Sequence, residues 1–337
     1  MPDSVTLSHV AREAGVSPST VSRVINGTAR VAPEKERAVY EAIRRLGYQP
    51  NLIAQGLAKG KSMSVGVITQ DVASPYYGEV IKGVEEGLSG SPYYPVFASG
   101  HWRPDAEREA FKVLNGRKID GLIVMGGLLP DAELRALAGG LPTVVLGRTV
   151  PGLEPDCLTV DHVQGAYEAT RHLIDLGHRR IAHIAGPLYQ QDARDRLEGY
   201  RRALAEANLN FDPRLVVEGD YHEPSGLMAV EALLARGALF TAIFSSNDQM
   251  AYGARLALYR RGIQVPGEVS LVGFDDLPSS SYTTPPLTTV AQPSLEFGRE
   301  AARAILRKLE GRPYAFAPLA NRLVVRESTA LLRQGVR

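Results

Sequence analysis

Residues 6–27 read TLSHVAREAGVSPSTVSRVING, and this stretch decides the fold of the first part of the chain. Apolar residues recur at helical spacing over residues 7–14, and Gly15 ends that helix. Ser17 then supplies an N-cap and Pro18 a first-turn proline for a second helix. Two short helices joined by so tight a glycine turn cross steeply, which is the helix-turn-helix arrangement.

A third helix is predicted to begin near Pro33 and to end at Gly47, with its apolar side chains packed against the first two helices. The outer face of the second helix carries short polar groups and one long cation: Ser17, Ser19, Thr20, Ser22 and Arg23. Such a face suits the floor of a DNA major groove. The same pattern also fits a small three-helix domain whose polar face is incidental.

The charge of the chain is unevenly distributed. Residues 1–61 carry nine Lys/Arg and five Asp/Glu, a net charge of +4, whereas the remaining 276 residues carry 29 and 32, a net charge of −3. A small basic segment on a mildly acidic body favours binding to a polyanion, and a plain solvated surface is the alternative.

The length and composition are those of an ordinary globular protein. A chain of 337 residues with 44% hydrophobic residues suits two or three domains. Cys157 is the single cysteine, so no internal disulfide can form, and no Cys/His spacing indicates zinc. The N-terminus lacks the apolar core of a signal peptide, and no apolar run reaches the ~20 residues of a membrane helix. We therefore expect a cytoplasmic protein with no membrane partner.

The first 51 residues resemble the DNA-binding head of LacI-type bacterial transcription regulators. The resemblance rests on V-A-x-x-A-G-V-S in the turn, T-V-S-R-V-I-N in the second helix and L-G-Y-x-P-N after the third, and it continues through nearly the whole chain. It implies a ligand-responsive regulator, most simply a repressor of sugar uptake or catabolism genes. Such a regulator binds a pseudo-palindromic DNA operator as a homodimer and is gated by a small molecule. A sugar is the favoured effector, with a nucleoside or a sugar phosphate as alternatives.

The polar face and the resemblance together indicate the DNA contacts. Arg23 is expected to read a guanine edge, and the others to contact phosphates, bases or the minor groove. The predicted DNA-binding residues are Thr6, Ser17, Pro18, Ser19, Thr20, Arg23, Asn26, Arg30, Tyr48, Asn51, Ala54, Leu57 and Lys59.

Residues 51–62 form a separate predicted segment, after a DNA-binding domain of residues 1–50. The stretch 51–59 is too short to be a stable helix alone, yet it is rich in leucine, isoleucine and alanine. The resemblance implies a hinge helix in the DNA minor groove, with Leu57 wedged into a base step and Ala54 beside the two-fold axis. Gly56 would weaken this helix. The alternative is that Leu57 packs on the body.

Residues 63–337 alternate between helices and buried apolar strands, among them strands predicted at 121–125, 143–146, 158–160 and 181–185. This alternation predicts parallel sheets covered on both faces. The number of strands suggests two sheets. The fold class is thus a small all-α three-helix domain plus hinge helix, joined to an α/β two-lobed, doubly wound body like that of periplasmic binding proteins. One lobe is assigned residues 63–150 and 291–318, and the other residues 156–290 and 319–330.

The cleft between two such lobes is the expected ligand site, because ligands bind at the carboxyl ends of parallel strands. The polar residues after these strand ends are Asp71, Ser74, Tyr76, Tyr77, Arg148, Asp161, Asp192, Arg196, Tyr221, Asn247 and Asp275. The resemblance implies effector contacts for Arg196, Asn247 and Asp275. Together they would bind vicinal hydroxyls, with Tyr76 or Tyr221 against a pyranose ring.

Several alternatives remain for individual residues of the cleft. Asp275 could pair with Arg196 in a purely structural bridge. Asp248 and Asp276 are expected to cap helices rather than to bind ligand. His101 and Trp102 could line the cleft, although such a pair more commonly lies on the surface or between lobes.

Other classes of protein fit the sequence less well. No G-x-S-x-G, H-E-x-x-H or Rossmann motif is present, and the histidines do not have metal-ligand spacing, so we expect no enzyme activity, cofactor or metal. A secreted solute-binding protein would share the two lobes but not the basic three-helix head. Residues 327–337 are too short for a tetramerising coiled coil, which favours a dimer.

Overall fold

A computed structural model describes residues 5–26, 29–48 and 61–332 of the chain. The chain divides into two compact units, Met1–Ser62 and Met63–Arg337. Their elements follow from the sequence patterns above, and each unit is considered by itself.

The first unit contains three helices around one small core. They are α1 (Leu7–Glu13), α2 (Pro18–Asn26) and α3 (Pro33–Leu46). Ser17 caps α2 by accepting a hydrogen bond of 3.2 Å from the Thr20 amide. Gly15 and Gly47 adopt the left-handed conformation that ends α1 and α3. The core of this unit contains the predicted apolar faces: Val10, Ala11, Val21, Val24, Val39 and Ala42.

The second unit consists of two lobes, each built on its own sheet. In the first lobe the strand order is β2-β1-β3-β4-β5, and neighbouring strands are parallel. The strands are β1 (Ser64–Thr69), β2 (Tyr94–Ser99), β3 (Gly121–Met125), β4 (Thr143–Leu146) and β5 (Cys157–Leu158). The helices between them are α4 (Pro75–Leu88), α5 (Pro104–Gly116) and α6 (Asp131–Ala138).

The sheet of the second lobe has the order β11-β10-β9-β8-β6-β7. Its strands are β6 (Ile181–Ala185), β7 (Val216–Glu218), β8 (Ala242–Ser245), β9 (Ser270–Asp275), β10 (Thr288–Ala291) and β11 (Arg322–Val324). The helices of this part of the chain are α7 (His162–Asp175), α8 (Gln191–Glu206), α9 (Glu223–Ala235), α10 (Asp248–Arg260) and α11 (Ser294–Leu309). The β11 strand is antiparallel to β10, an exception to the predicted parallel order.

Apolar side chains pack on both faces of each sheet, as continuous apolar strands require. The α11 helix returns to the first lobe and packs against α4, while β10 and β11 belong to the second lobe. The chain therefore passes between the lobes three times, around residues 159–161, 292–293 and 310–321.

One strand was assigned to the wrong lobe, and one helix was not predicted. The strand expected at 158–160 was assigned to the second lobe, but β5 pairs with β4 and completes the sheet of the first lobe. The crossover therefore follows Leu158 rather than preceding Asp156. The short helix α6 was not predicted; it begins after Pro130 and ends at the left-handed Gly139.

Candidate functional site

A cavity of about 950 Å³ lies between the two lobes of the second unit. It lies beside the carboxyl ends of strands in both sheets, where doubly wound folds bind ligands. All eleven residues predicted for the cleft line this cavity: Asp71, Ser74, Tyr76, Tyr77, Arg148, Asp161, Asp192, Arg196, Tyr221, Asn247 and Asp275. Their placement agrees with the strand-end rule, and their contact with an effector stays a prediction.

Arg196 is the fixed cation on the second-lobe side of the cavity. The α8 helix carries it, and only 3% of the residue is exposed. Its Nη1 donates a hydrogen bond of 2.5 Å to the Ser246 carbonyl oxygen, and its Nη2 lies 3.5 Å from Asp192 Oδ2. The guanidinium carbon lies 4.1 Å from the ring centroid of Phe274. These contacts hold the guanidinium plane in one orientation.

His162 completes the surroundings of Arg196. Its Nδ1 lies 3.4 Å from Nη2 of Arg196. Burial, and next the nearby Arg196 charge, lower the pKa of His162 to about 3. The ring is therefore neutral at ordinary pH, and Nδ1 accepts the hydrogen bond from the arginine.

Asp275 lies at the end of β9 with φ of 116°, a conformation that L-residues rarely adopt. Its Oδ1 accepts a hydrogen bond of 2.7 Å from Nε2 of Gln292. Burial raises the pKa of Asp275 to about 8, with the charge of Asp248 adding to this and that of Arg196 opposing it. Both side chains are described, and no direct ion pair joins Asp275 to Arg196; the arginine pairs with Asp192 instead. The alternative of a direct structural bridge is therefore wrong.

Asn247, not Asp248, caps the α10 helix. Asn247 Oδ1 accepts from the Met250 amide at 2.9 Å, and its Nδ2 donates to the Tyr221 carbonyl oxygen at 2.8 Å. The amide thus links the helix to the loop that carries the Tyr221 ring. A ligand hydroxyl would have to share atoms that these two hydrogen bonds already use.

The predicted capping roles of Asp248 and Asp276 are wrong. Asp248 is buried and accepts from the hydroxyls of Ser280 and Thr289, at 2.6 Å each. Burial raises the pKa of this carboxyl to about 7. Asp276 instead forms an ion pair of 2.7 Å with Arg326. Their partners lie far away in sequence, so no local sequence pattern predicts these contacts.

On the first-lobe side, Arg148 holds the loop that follows β3. Its Nη1 donates to the carbonyl oxygens of Leu129 at 2.8 Å and Gly127 at 3.3 Å. The Glu107 carboxylate binds the other side of the same loop, accepting from the amides of Leu128 and Leu129. The arginine is therefore committed in part to shaping the cavity wall.

Sequence reasoning missed several residues at the cavity. The sequence leaves the location of His101 and Trp102 open between the cleft and the surface or lobe packing, and both line the cavity wall. Other missed lining residues are Asp131, His162, Tyr189, Gln249, Gln292 and Phe297. Gln292 follows directly after β10, so the strand-end rule applied to that strand would have found it.

Several DNA-binding candidates of the first unit lie at the start and along one side of α2. Ser17, Pro18, Ser19 and Arg23 are exposed along one side of α2, whereas Thr20 is half-buried. Oγ of Ser17 lies 2.8 Å from Oγ of Ser19 and 2.9 Å from Oγ1 of Thr20. This cluster gives the start of α2 a short, polar surface.

The other candidates of this unit differ in their setting. Thr6 and Arg30 are exposed, and Tyr48 packs partly against the three-helix core. Asn26 is the last residue of α2, and its side chain lies outside the description, as do Asn51, Ala54, Leu57 and Lys59 of the predicted hinge segment. The hinge helix therefore stays a prediction.

Within the described ranges, no group of three His, Cys, Asp or Glu side chains is placed to hold a metal ion. Nor is any described helix long and apolar enough to cross a membrane.

A helix-turn-helix unit joined to a two-lobed body with a central cavity defines a class of DNA-binding regulators with a ligand-sensing domain. Comparisons with known proteins agree. Residues 6–51 match the family model of bacterial regulatory proteins of the lacI family, and residues 170–329 match that of a periplasmic binding protein-like domain.

Relatives extend this match to nearly the full length. The chain is 40% identical over 309 residues to the HTH-type transcriptional regulator GalR of Escherichia coli, covering 91% of this chain and 90% of GalR. It is 36% identical over 329 residues to catabolite control protein A of Priestia megaterium, covering 96% and 99%. The chain belongs to the LacI family of bacterial transcription regulators. The predicted family and the absence of an enzyme class are thereby confirmed.

Two solved structures give the same result for the fold. The lac repressor dimer bound to operator and the anti-inducer ONPF superposes with a TM-score of 0.88 and 31% identity, covering 97% of this chain and all of that one. A complex of the transcriptional regulator CelR with cellobiose gives a TM-score of 0.72 and 35% identity, covering 96% and 99%. The predicted fold class is confirmed.

Proposed function

We propose that this regulator is a repressor of sugar uptake or catabolism genes whose DNA affinity is controlled by a sugar bound in the cavity between the lobes. The observation that carries this proposal is the group of Arg196, Asp192, Tyr221 and Asp275 at one wall of that cavity. A rigid guanidinium donates hydrogen bonds and carboxylates accept them, so adjacent hydroxyls of one sugar ring would be satisfied by both.

The charges around the cavity favour a neutral ligand. Among the described lining residues there are three arginines, at 148, 194 and 196, and seven aspartates, at 71, 131, 161, 192, 195, 220 and 275. Burial keeps Asp275 largely protonated below its raised pKa of about 8, but the other six aspartates still outnumber the three arginines. An excess of carboxylates repels an anion such as a sugar phosphate. The related CelR structure, which holds cellobiose, agrees with a neutral sugar.

The DNA side of the proposal rests on the exposed face of α2. Arg23 is the long cation of that face and would read a guanine edge in the major groove, while Thr6, Ser17 and Ser19 would contact phosphates or bases. Leu57 would wedge into the minor groove from the hinge segment. Since bacterial DNA lies in the cytoplasm, the proposal places the protein there.

The second lobe offers a surface for a homodimer. Tyr259 is 78% exposed and Tyr282 87%, and Met228 and Leu256 are also exposed. They lie on α9, α10 and the short helix Pro278–Tyr282, and Tyr252 of α10 hydrogen-bonds to Ser280 of that short helix at 2.7 Å. Large exposed apolar side chains on neighbouring elements mark candidate interaction surfaces. A dimer would present two heads to the half-sites of a pseudo-palindromic operator.

A thermal-shift titration tests the effector class. Neutral mono- and disaccharides, sugar phosphates and nucleosides are added to the purified protein and to its Arg196→Lys variant. At a ligand concentration of 100 times its dissociation constant, binding adds ~2.7 kcal/mol to stability. We expect a neutral sugar to raise the melting temperature of the wild type, and Arg196→Lys to abolish that rise.

Arg201→Lys is the matched control. Arg201 lies on the same helix and stacks on Phe211 at 4.6 Å, outside the cavity. The control should keep the full response. Stabilisation by phosphates alone, or an unchanged response in Arg196→Lys, would contradict the proposal.

A further inference from the structure

Trp102 is the single tryptophan of the chain, and it lies at the cavity wall formed by the first lobe. It follows β2 and precedes α5, and it is half-buried. The hydroxyl-binding group around Arg196 belongs to the second lobe. The proposed function therefore leaves this aromatic side chain without a role.

The backbone at Trp102 is held in an uncommon conformation. His101 and Trp102 have φ of 54° and 52°, both in the left-handed region. Such residues are costly and persist where surrounding contacts fix them. Here the Trp102 amide donates to Oε1 of Gln70 at 3.0 Å, and Nε2 of that buried glutamine donates to the Met125 carbonyl oxygen at 3.2 Å. These two hydrogen bonds through Gln70 therefore fix the backbone that carries the indole.

The outer edge of the indole ring lies next to Gly126. A Cβ added at this glycine would lie 3.0 Å from Cη2 of Trp102 and 3.6 Å from the Tyr77 hydroxyl. A side chain at position 126 would fill the space that the ring uses. Trp102 and Tyr77 thus converge on the same short stretch of backbone, and both rings border the cavity.

The aromatic surface continues toward the second lobe. The rings of Tyr77 and Tyr76 meet edge-to-face with centroids 5.3 Å apart. Burial, and next the charge of Asp275, raise the pKa of Tyr76, while Arg196 opposes this. Trp102, Tyr77 and Tyr76 thus line the same cavity as the hydroxyl-binding group.

We propose that Trp102 and Tyr77 form a second sugar subsite, so that the effector is an oligosaccharide of at least two rings that spans both lobes. This inference rests on the proposed sugar function. One ring would bind Arg196 and Asp275 through its hydroxyls, and the next would lay its apolar face on the indole. A cavity of about 950 Å³ is at the upper end of the ~300–1,000 Å³ of ligand sites, which leaves room for the second ring.

The test combines Trp102 fluorescence with thermal shift. The probes are glucose and galactose on one side, and cellobiose, maltose and lactose on the other. We expect at least one disaccharide to stabilise the protein and to shift the tryptophan emission to the blue, because stacking removes water from the indole. Its constituent monosaccharides should bind more weakly and leave the emission nearly unchanged.

Variants then separate stacking from folding. Trp102→Ala should weaken disaccharide binding roughly tenfold, the factor that about 1.4 kcal/mol represents, and leave monosaccharide binding within about twofold. Trp102→Phe keeps an aromatic face and should restore most of the affinity. Tyr94→Ala, which removes an exposed aromatic side chain of the same lobe outside the cavity, is the control.

Three outcomes would overturn the inference, and they differ in what they leave of the proposed sugar function. A disaccharide that stabilises the protein without changing the emission, and that binds Trp102→Ala equally well, overturns the subsite but leaves the sugar function intact. A monosaccharide that binds as tightly as any disaccharide, with an equal loss in Trp102→Ala, overturns the two-ring requirement. If none of the five sugars stabilises the protein, the proposed function and the subsite fail together.

Discussion

The contacts and the protonation of Asp275 depend on residues from other parts of the chain. The strand-end rule predicts its position at the cavity, but it cannot predict that Gln292 binds its carboxylate or that Asp248 lies nearby. These neighbours come from other strands and other turns. The sequence therefore predicts which residues border the site, while their protonation and pairing follow only from the folded chain.

The raised pKa of Asp275 predicts a particular pH dependence of stability. Burial raises this pKa to about 8, well above its ordinary value near 4, so the folded state binds the proton more tightly than the unfolded state. The resulting stability is fully present below about pH 4 and is lost as the pH rises toward about 8. Asp275→Asn keeps an uncharged side chain and should lose less stability over this range.

Urea unfolding of the wild type and of Asp275→Asn at several pH values checks this prediction. The two unfolding free energies should diverge between about pH 4 and pH 8, with the variant favoured at the higher pH, and should change in parallel above that range. Parallel curves would show that the carboxyl titrates as an ordinary exposed aspartate.

At the scale of elements, periodicity predicts most of the second unit. Strands β3, β4 and β6 occur at the predicted residues, since continuous apolar runs bounded by turns leave little ambiguity. The short helix α6 was not predicted because eight residues give too few repeats of the helical pattern. The lobe of β5 could not be predicted from its own two residues. It is determined by pairing with the neighbouring β4 strand.

The pairing of α4 with α11 depends on glycines that allow close approach. A Cβ at Gly298 would lie 2.0 Å from the Val80 carbonyl oxygen, and one at Gly83 would lie 2.1 Å from that of Leu295. No real side chain tolerates such a distance from backbone. The two helices of the first lobe must therefore separate if either residue gains a methyl group.

Gly298→Ala should accordingly lower the unfolding free energy by about 1–3 kcal/mol, the usual cost of overpacking a core. Gly78→Ala is the matched control, because it lies in α4 with no atom within 4 Å of an added Cβ. The control should be neutral or gain up to ~1 kcal/mol from better helix propensity. Urea denaturation measures both, and equal effects of the two substitutions would refute the close-packing argument.

At the scale of the whole molecule, the two lobes share one cavity and three chain crossings. A ligand that binds both walls favours one angle between the lobes over another, because it gains contacts only when both walls reach it. Both walls carry polar groups placed by strand ends, with Arg196 on one side and Tyr77 on the other. Ligand binding in the cavity can thus change the shape of the second unit. The proposed homodimer would transmit this change to the DNA-binding heads.

Ligand control of DNA binding is tested by the affinity of the full-length protein for a pseudo-palindromic DNA that the protein itself selects from random sequence. Fluorescence anisotropy measures this affinity with and without a saturating concentration of the stabilising sugar. If the cavity controls DNA binding, the affinity should change about 5–150-fold, equivalent to a coupling of ~1–3 kcal/mol. An unchanged affinity, with the sugar demonstrably bound, would contradict the claim that the cavity controls DNA binding.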